Sequence, residues 1–328
     1  MNGPLRGATV AVLGFGSQGA AQAQNLRDAG LEVLVGVRSG GPSEARARAL
    51  GFPTHPPAEA ARRARASAML IPDEAVSGAW PDLAPAFAKG AALVFAHGFS
   101  LLYGKLALPP ALDVVLVSPT GPGPAFRRVY ESGGTLPAYV AVHQDASGAA
   151  RDVAVDYARL VGCGPLVDTT VREETEIDLF GEQTVLCGGL NALVIAAFET
   201  LVERGYTPEV AYLECVHQVK YLADLLHERG VAGFRRAISG TALYGDLTRG
   251  PRVIGPAARA AMAQILDEIR SGEFAGEWLE ESRRGRPALA RAVAAAATHP
   301  IEGARRRALG EPPREGGGAD REPGVGPE

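Results

Sequence analysis

Residues 173–183 read Glu-Glu-Thr-Glu-Ile-Asp-Leu-Phe-Gly-Glu-Gln, and the chain then turns apolar through Thr184-Val185-Leu186-Cys187. On a helix, residues four apart share a face, which places Glu174, Asp178 and Glu182 together. Carboxylates at that spacing repel unless something offsets their charge, and a hard divalent cation such as Mg2+ takes oxygen ligands. The same spacing also suits a solvated acidic face at a helix start, where the helix dipole favours anions. A second helix carries Glu214 and Gln218 four apart, beside His217 and Lys220. This set, too, reads either as part of a site or as an ordinary polar face.

A second kind of chemistry is signalled near the N-terminus. The apolar, β-rich run Ala8-Thr9-Val10-Ala11-Val12-Leu13 leads at once into Gly14-Phe15-Gly16-Ser17-Gln18-Gly19, then into a helical stretch from Ala20 to Ala29, and on to a second strand, Glu32–Val37. In this strand-turn-helix setting the glycines permit a tight turn and close approach of a pyrophosphate, and the helix N-terminus offers N–H donors. Gly14, Phe15, Gly16, Ser17, Gln18 and Gly19 are therefore candidate cofactor-binding residues. After the second strand the loop runs Arg38-Ser39-Gly40-Gly41-Pro42. No acid is present there to hold ribose hydroxyls. Arg38 and Ser39 permit a 2′-phosphate, while Gly41 and Pro42 give it no side-chain donors. NAD and NADP both stay open on this loop, with a lean to NAD(H).

Further strands are predicted at 66–71, 91–96, 114–118 and 139–144, with a helix over 148–161. The loops that follow the first three carry Pro72-Asp73-Glu74, His97-Gly98-Phe99 and Pro119-Thr120-Gly121. Ligands of open α/β sheets bind outside the carboxyl ends of the strands, so these loops should line one crevice. Pro72, Asp73 and His97 join the candidate cofactor set. Beyond residue 170, strand signals stop and helical periodicity takes over, at 190–204, 208–229 and 256–271. The expected organisation is a dinucleotide-binding domain over 1–168, a helical metal, substrate and dimerisation domain over 169–309, and a disordered Pro/Gly-rich tail over 310–328. A chain of 328 residues with net charge −4 gives no reason to expect a nucleic-acid partner or an anionic membrane surface. No apolar run of membrane-spanning length is read from the sequence, nor a signal-peptide core. Cys163, Cys187 and Cys215 lack metal-finger spacing and are expected to be buried, reduced thiols of a cytoplasmic protein.

Taken together, these motifs resemble a short-form ketol-acid reductoisomerase. The resemblance rests on Gly14–Gly19, Pro72-Asp73-Glu74, Ala96-His97-Gly98-Phe99, Gly121-Pro122-Gly123 and 173–189. It continues through Gly205-Tyr206-Thr207-Pro208-Glu209, Ile238-Ser239, Tyr244-Gly245-Asp246 and Gly250-Pro251-Arg252. It implies an α/β protein with an N-terminal Rossmann domain and an all-helical, knotted C-terminal domain. It also implies a homodimer with shared active sites, a nicotinamide cofactor, two Mg2+ ions and a small hydroxy- or keto-acid substrate. Asp178 and Glu182 match metal ligands, Glu214 a carboxylate contributed by the other subunit, Ser239 a substrate contact, and His97 the active-site histidine.

The sequence departs from that family at the chemistry. Thr120 stands where the family has lysine, Gln218 where it has a second glutamate, Leu243 where it has another glutamate, and Gly240 where it has asparagine. One positive and one negative charge go together, so the formal charge of the site is kept while proton-transfer groups are lost. Glutamine still offers a carbonyl oxygen but cannot act as a base. With the ammonium gone, a cationic substrate no longer meets a repulsion of several kcal/mol. Three readings follow. One is a remodelled enzyme resembling the cyclopropanol-forming branch of bacterial specialised metabolism, acting without net redox change on a dihydroxy acid that carries a sulfonium. Another is a genuine ketol-acid reductoisomerase of branched-chain amino-acid synthesis, and the third a non-catalytic cofactor-binding relative. In the enzymatic readings His97, Thr120, Gln218 and Ser239 are the catalytic candidates.

Overall fold

The computed structural model describes residues 3–312. It forms two compact units, one ending at Ile177 and the other beginning at Asp178. From residue 313 onward the expected tail lies outside the described residues. Its first residues are not disordered: Gly310 closes the helix Pro300–Ala308 at φ +68°, and Arg305 grips the Glu311 carboxylate through two bonds of 2.8 Å.

The first unit is built on eight strands: β1 (Thr9–Leu13), β2 (Glu32–Gly36), β3 (Thr54–His55), β4 (Ala66–Met69), β5 (Ala92–Phe95), β6 (Asp113–Pro119), β7 (Leu136–Gln144) and β8 (Cys163–Asp168). Their order in the sheet is β3-β2-β1-β4-β5-β6-β7-β8, with β7 antiparallel to β6 and every other pairing parallel. The continuous apolar strands are explained by burial on both faces. In β1, Val10 and Val12 enter one core with Val33, Val35, Ala68 and Phe126. Ala11 and Leu13 enter the other with Leu34, Met69, Leu93 and Phe95. Truncating a fully buried Phe95 or Phe126 to alanine would cost about 3–5 kcal/mol. Two strands were not expected. β3 has only two residues, and β8 carries Pro165 on the outer edge, where a missing N–H costs no ladder bond.

Every element of the second unit is helical among the described residues. Its helices include Gly188–Glu203, Pro208–Tyr212, Val219–Ala237, Gly240–Val253 and Pro256–Ser271. The long helix ends its regular part after Arg229, where Gly230 turns to φ +61°, ψ 175°. The unit's own core is small, centred on Phe198, Ala211, Tyr212, Ile301 and Ala304. Much of its apolar surface is exposed, Leu186 at 63% and Tyr244 at 65% among the largest.

Two expectations need correction here. The helical run Val171–Glu203 is long and apolar enough, by length and composition alone, to cross a membrane. The sequence reading missed it because Gly188-Gly189 and Asn191 punctuate the run without interrupting its apolar character. Of the three cysteines, all free, only Cys163 is buried, and burial pushes its thiol up to about 12; Cys187 is exposed.

Candidate functional site

Registers align the carboxyl ends of β1, β4, β5 and β6 side by side, pairing Leu13 with Met69, Met69 with Phe95 and Phe95 with Leu116. The four loops that leave these ends carry most of the residues singled out above. In the first, Gly14 sits at φ +100°, and a Cβ there would lie 2.4 Å from the Leu70 carbonyl oxygen. A Cβ on Gly19 would come 2.3 Å from the Gly14 oxygen, so the helix can start this close to the strand only with glycine. A Cβ on Gly16 would meet nothing, which marks the open side of the turn. The helix Ser17–Asp28 begins there with no side-chain cap and no acid in its first turn. Its leading N–H groups thus suit an anion, and the loop fits the pyrophosphate of a dinucleotide. Phe15 is buried against Phe52 with ring centroids 5.6 Å apart. Arg38 and Ser39 lie exposed beyond β2. Sequence reasoning overlooked Arg46, on the helix Pro42–Ala49, which donates to the Phe15 carbonyl at 3.1 Å and to Ser43 Oγ at 2.8 Å. The Pro42-Ser43 pair, a good helix start, was the signal that a cation four residues on would face back to this loop.

Asp73 and His97, from the loops after β4 and β5, meet in one cluster with Glu174. The Glu174 carboxylate is fully buried, accepts from the Gly98 amide at 3.0 Å and lies 3.3 Å from His97 Nδ1. Gly98 must be glycine, since a Cβ would fall 2.1 Å from Thr175 Oγ1. The helix Val171–Gly181 therefore packs directly on the His97 loop, and its buried glutamate orients the imidazole. Burial raises the Asp73 carboxyl to about 6, against the opposing pull of His97 and a weak bond from Ser100. The acidic run was legible as a face. Its division into a buried Glu174, a half-buried Asp178 and an exposed Glu182 was not.

Thr120 is exposed, and its hydroxyl donates to the Pro137 carbonyl at 2.9 Å. The neighbouring Gly121 carbonyl accepts from Gln18 Nε2 at 2.9 Å, and a Cβ on Gly123 would lie 2.2 Å from the Ser17 oxygen. The Thr120 loop is thereby docked on the glycine turn. Pro72 is exposed at the start of the helix Asp73–Leu83.

In the helical unit, Asp178 is half-buried and Glu182 exposed, one turn apart. Glu182 opens a π-helical turn, Glu182–Leu186, and Glu214 lies in a second one, Leu213–His217. Such wide turns are rare and concentrate at functional sites. Gln183 Nε2, in the first of them, is buried with no partner among the described residues. Gln218 Nε2 donates to Glu214 Oε2 at 2.7 Å. Ser239 caps the helix Gly240–Val253, accepting from the Ala242 amide at 3.3 Å. The all-oxygen donor set of these carboxylates fits a hard divalent cation. Among the described residues of one chain, Glu214 does not converge with Asp178 and Glu182 into a set of ligand atoms within 4.8 Å of one another.

Comparison with known proteins decides the family. The "Ketol-acid reductoisomerase, C-terminal domain" matches residues 171–309, and the "Acetohydroxy acid isomeroreductase, NADPH-binding domain" matches 4–166. The chain belongs to the ketol-acid reductoisomerase family. It is 38% identical to the solved NADH-preferring ketol-acid reductoisomerase from an uncultured archean, over 93% of this chain and 95% of that one, with a TM-score of 0.90. Fold alone is shared with a semialdehyde dehydrogenase NAD-binding protein from Cupriavidus necator (19% identity, 80% of this chain and 99% of that chain, TM-score 0.61). The same holds for a putative oxidoreductase from Jannaschia sp. (15%, 80% and 98%, TM-score 0.61). Membership of the ketol-acid reductoisomerase family makes this a nicotinamide-dependent oxidoreductase/isomerase, acting on a small molecule.

Proposed function

We propose that this ketol-acid reductoisomerase-like enzyme has a remodelled site that converts a dihydroxy acid bearing a sulfonium into a cyclopropanol, without net redox change. The observation that carries the reading is the pair of replacements at the chemistry. Gln218 donates its amide to Glu214 instead of offering a second carboxylate, and Thr120 ties its hydroxyl to Pro137 where the resemblance implies a lysine. Thr120 suits a cationic substrate that needs no ammonium beside it, and Gln218 takes away a base while keeping a carbonyl oxygen. In the net change, the C–S bond breaks with its electron pair on sulfur, a carbon gives up a proton, and a new C–C bond closes the ring. The hydride withdrawn from a hydroxyl carbon is returned to it.

When bound, the nicotinamide supplies a two-electron acceptor and donor, and Mg2+ supplies Lewis acidity. Gly14, Phe15, Gly16, Ser17, Gln18 and Gly19 would cradle the cofactor's pyrophosphate, with Arg38, Ser39, Pro72, Asp73 and His97 around the remainder. Asp178, Glu182 and Glu214 would hold two metal ions, Glu214 from a second copy of the chain. His97, fixed by Glu174, would hold or pass a proton at its ring nitrogen, and Ser239 would bind the substrate carboxylate. Support for a homodimer comes from the exposed apolar side chains of the helical unit, Tyr221, Leu222 and Leu226 among them, on a scale that monomers seldom leave bare. We also infer NAD(H) use at least equal to NADP(H), since Gly41 and Pro42 give a 2′-phosphate no side-chain donor, and we place the enzyme in the cytoplasm as a metabolic enzyme with free thiols.

A second reading, a genuine ketol-acid reductoisomerase acting on acetolactate, is favoured by the 38% identity spread over nearly the whole length of the archaeal relative. Turnover of a sulfonium dihydroxy acid with sub-stoichiometric NAD+, followed by product mass spectrometry, separates the two. Many turnovers per NAD+ support ring closure, and one-for-one consumption of NAD+ overturns it.

A further inference from the structure

The helix that carries the glycine turn buries an unusual stripe. Gln22 and Asn25 are at most 1% exposed and Gln18 is half-buried, three amides at helical spacing on a face that adjoins an apolar core. Buried amides cost stability unless bonded, and these are bonded in a definite direction. The fully buried Tyr157 hydroxyl donates to Gln22 Oε1 at 2.8 Å. Gln22 Nε2 then donates to Gln18 Oε1 at 3.2 Å, and Gln18 Nε2 donates to the Gly121 carbonyl at 2.9 Å. The polarity is set at the loop. The Gly121 carbonyl can only accept, so Gln18 turns Nε2 to it and Oε1 to Gln22, and Gln22 Oε1 is left to accept from the Tyr157 hydroxyl. Reversing either amide would set oxygen against oxygen. Burial holds the Tyr157 hydroxyl protonated, well above its ordinary range, so the donor at the start of the chain persists at any pH the protein tolerates.

We propose that Tyr157, acting through Gln22 and Gln18, is a positioning residue for the loop Thr120–Gly123, holding it against the glycine turn. None of the three side chains needs to touch substrate for this. The loop after β6 is also held by the Thr120 amide and hydroxyl on the Pro137 carbonyl, by the close approach of Gly123 to Ser17, and by Arg127, which donates to Asn25 Oδ1 at 2.7 Å; the Gln18 bond adds a side-chain link from the helix of the glycine turn to the loop's own Gly121 carbonyl. Packing alone would demand an apolar residue at 22. An amide there makes sense as the link that joins the Tyr157 hydroxyl to Gln18 and so to the loop.

The test is hydrogen exchange, read by mass spectrometry, on the peptide covering 119–126 in the full chain. Tyr157→Phe removes one oxygen from a packed ring and should lower protection of that peptide about fivefold, the worth of one net hydrogen bond. Its dissociation constant for NADH, measured by fluorescence, should change by less than about twofold. Gln18→Leu, at a half-buried position, should lower protection similarly. In the Gln18→Leu background, Tyr157→Phe should then have no further effect on the loop, because the link between them is already cut. Additive losses in the double variant would show two independent packing defects and overturn the relay. So would a Tyr157→Phe variant with unchanged loop exchange, or one whose NADH affinity falls as far as its loop protection.

Discussion

At the level of single residues, the site is defined as much by what is absent as by what is kept. The resemblance implies a lysine at position 120, and the threonine present there is turned to a backbone carbonyl. If the substrate carries a sulfonium, Thr120→Lys would bring two positive charges within a few Å. At an effective dielectric near 20 the repulsion is about 4 kcal/mol. The expected outcome is a loss of about three orders of magnitude in kcat/KM for that substrate, with little change in Tm because the position is exposed. Steady-state kinetics of the variant beside a melting curve measures both, and an unchanged rate would contradict a cationic substrate. Asp73 gives a prediction of a different kind. Its folded carboxyl titrates near 6, above the ordinary 3.8, because burial disfavours its charge. Between these values the folded state holds more protons than the unfolded one, so Asp73 takes stability away as pH rises from about 4 to about 6. Replacing it by asparagine removes the penalty. The gain in Tm of Asp73→Asn over the parent should be small at pH 4, grow up to pH 6 and then level off. A gain that stays flat across that range would show that the carboxyl is not held up by its surroundings.

The elements explain which parts of this were legible. Strand β1, the glycine turn and its helix were readable because a buried parallel strand and a Gly-rich turn leave direct marks in composition. The helix Pro256–Ser271 and the break after Arg229 were also readable from periodicity and from glycine. The edge strand β8 was hidden by Pro165, and the π-helical turns at Glu182 and Glu214 leave no periodic signal at all. The acidic run reads as one face, yet Glu174 is drawn inward by the His97 loop while Asp178 is half-buried and Glu182 exposed. That division arises from a contact between parts of the chain 76 residues apart, which local spacing cannot carry. It also separates two roles by mutation. Asp178→Ala should remove at least one Mg2+ binding event in titration calorimetry of the full chain. Binding like that of the parent would take Asp178 out of the ligand set.

For the molecule as a whole, family membership and the apolar exterior of the helical unit point the same way. Side chains such as Leu186, Tyr244 and Leu247, each more than half exposed, leave more apolar surface bare than monomers usually carry, which supports the proposed dimer. Light scattering at micromolar concentration should therefore return twice the chain mass of 34.1 kDa. A monomer would leave Glu214 without the second-subunit role assigned to it.

If this ketol-acid reductoisomerase scaffold serves altered chemistry, acetolactate is the substrate that shows it most directly. The purified enzyme should be assayed with saturating Mg2+ and with NADH and NADPH in turn, following cofactor oxidation. Loss of one positioned acid–base group lowers a rate by about 10²–10⁴-fold. With Thr120 and Gln218 in place, turnover should fall at least about a hundredfold below an ordinary enzyme rate of about 10 per second. Turnover near 10 per second would contradict the remodelling and identify acetolactate as a substrate of this chain.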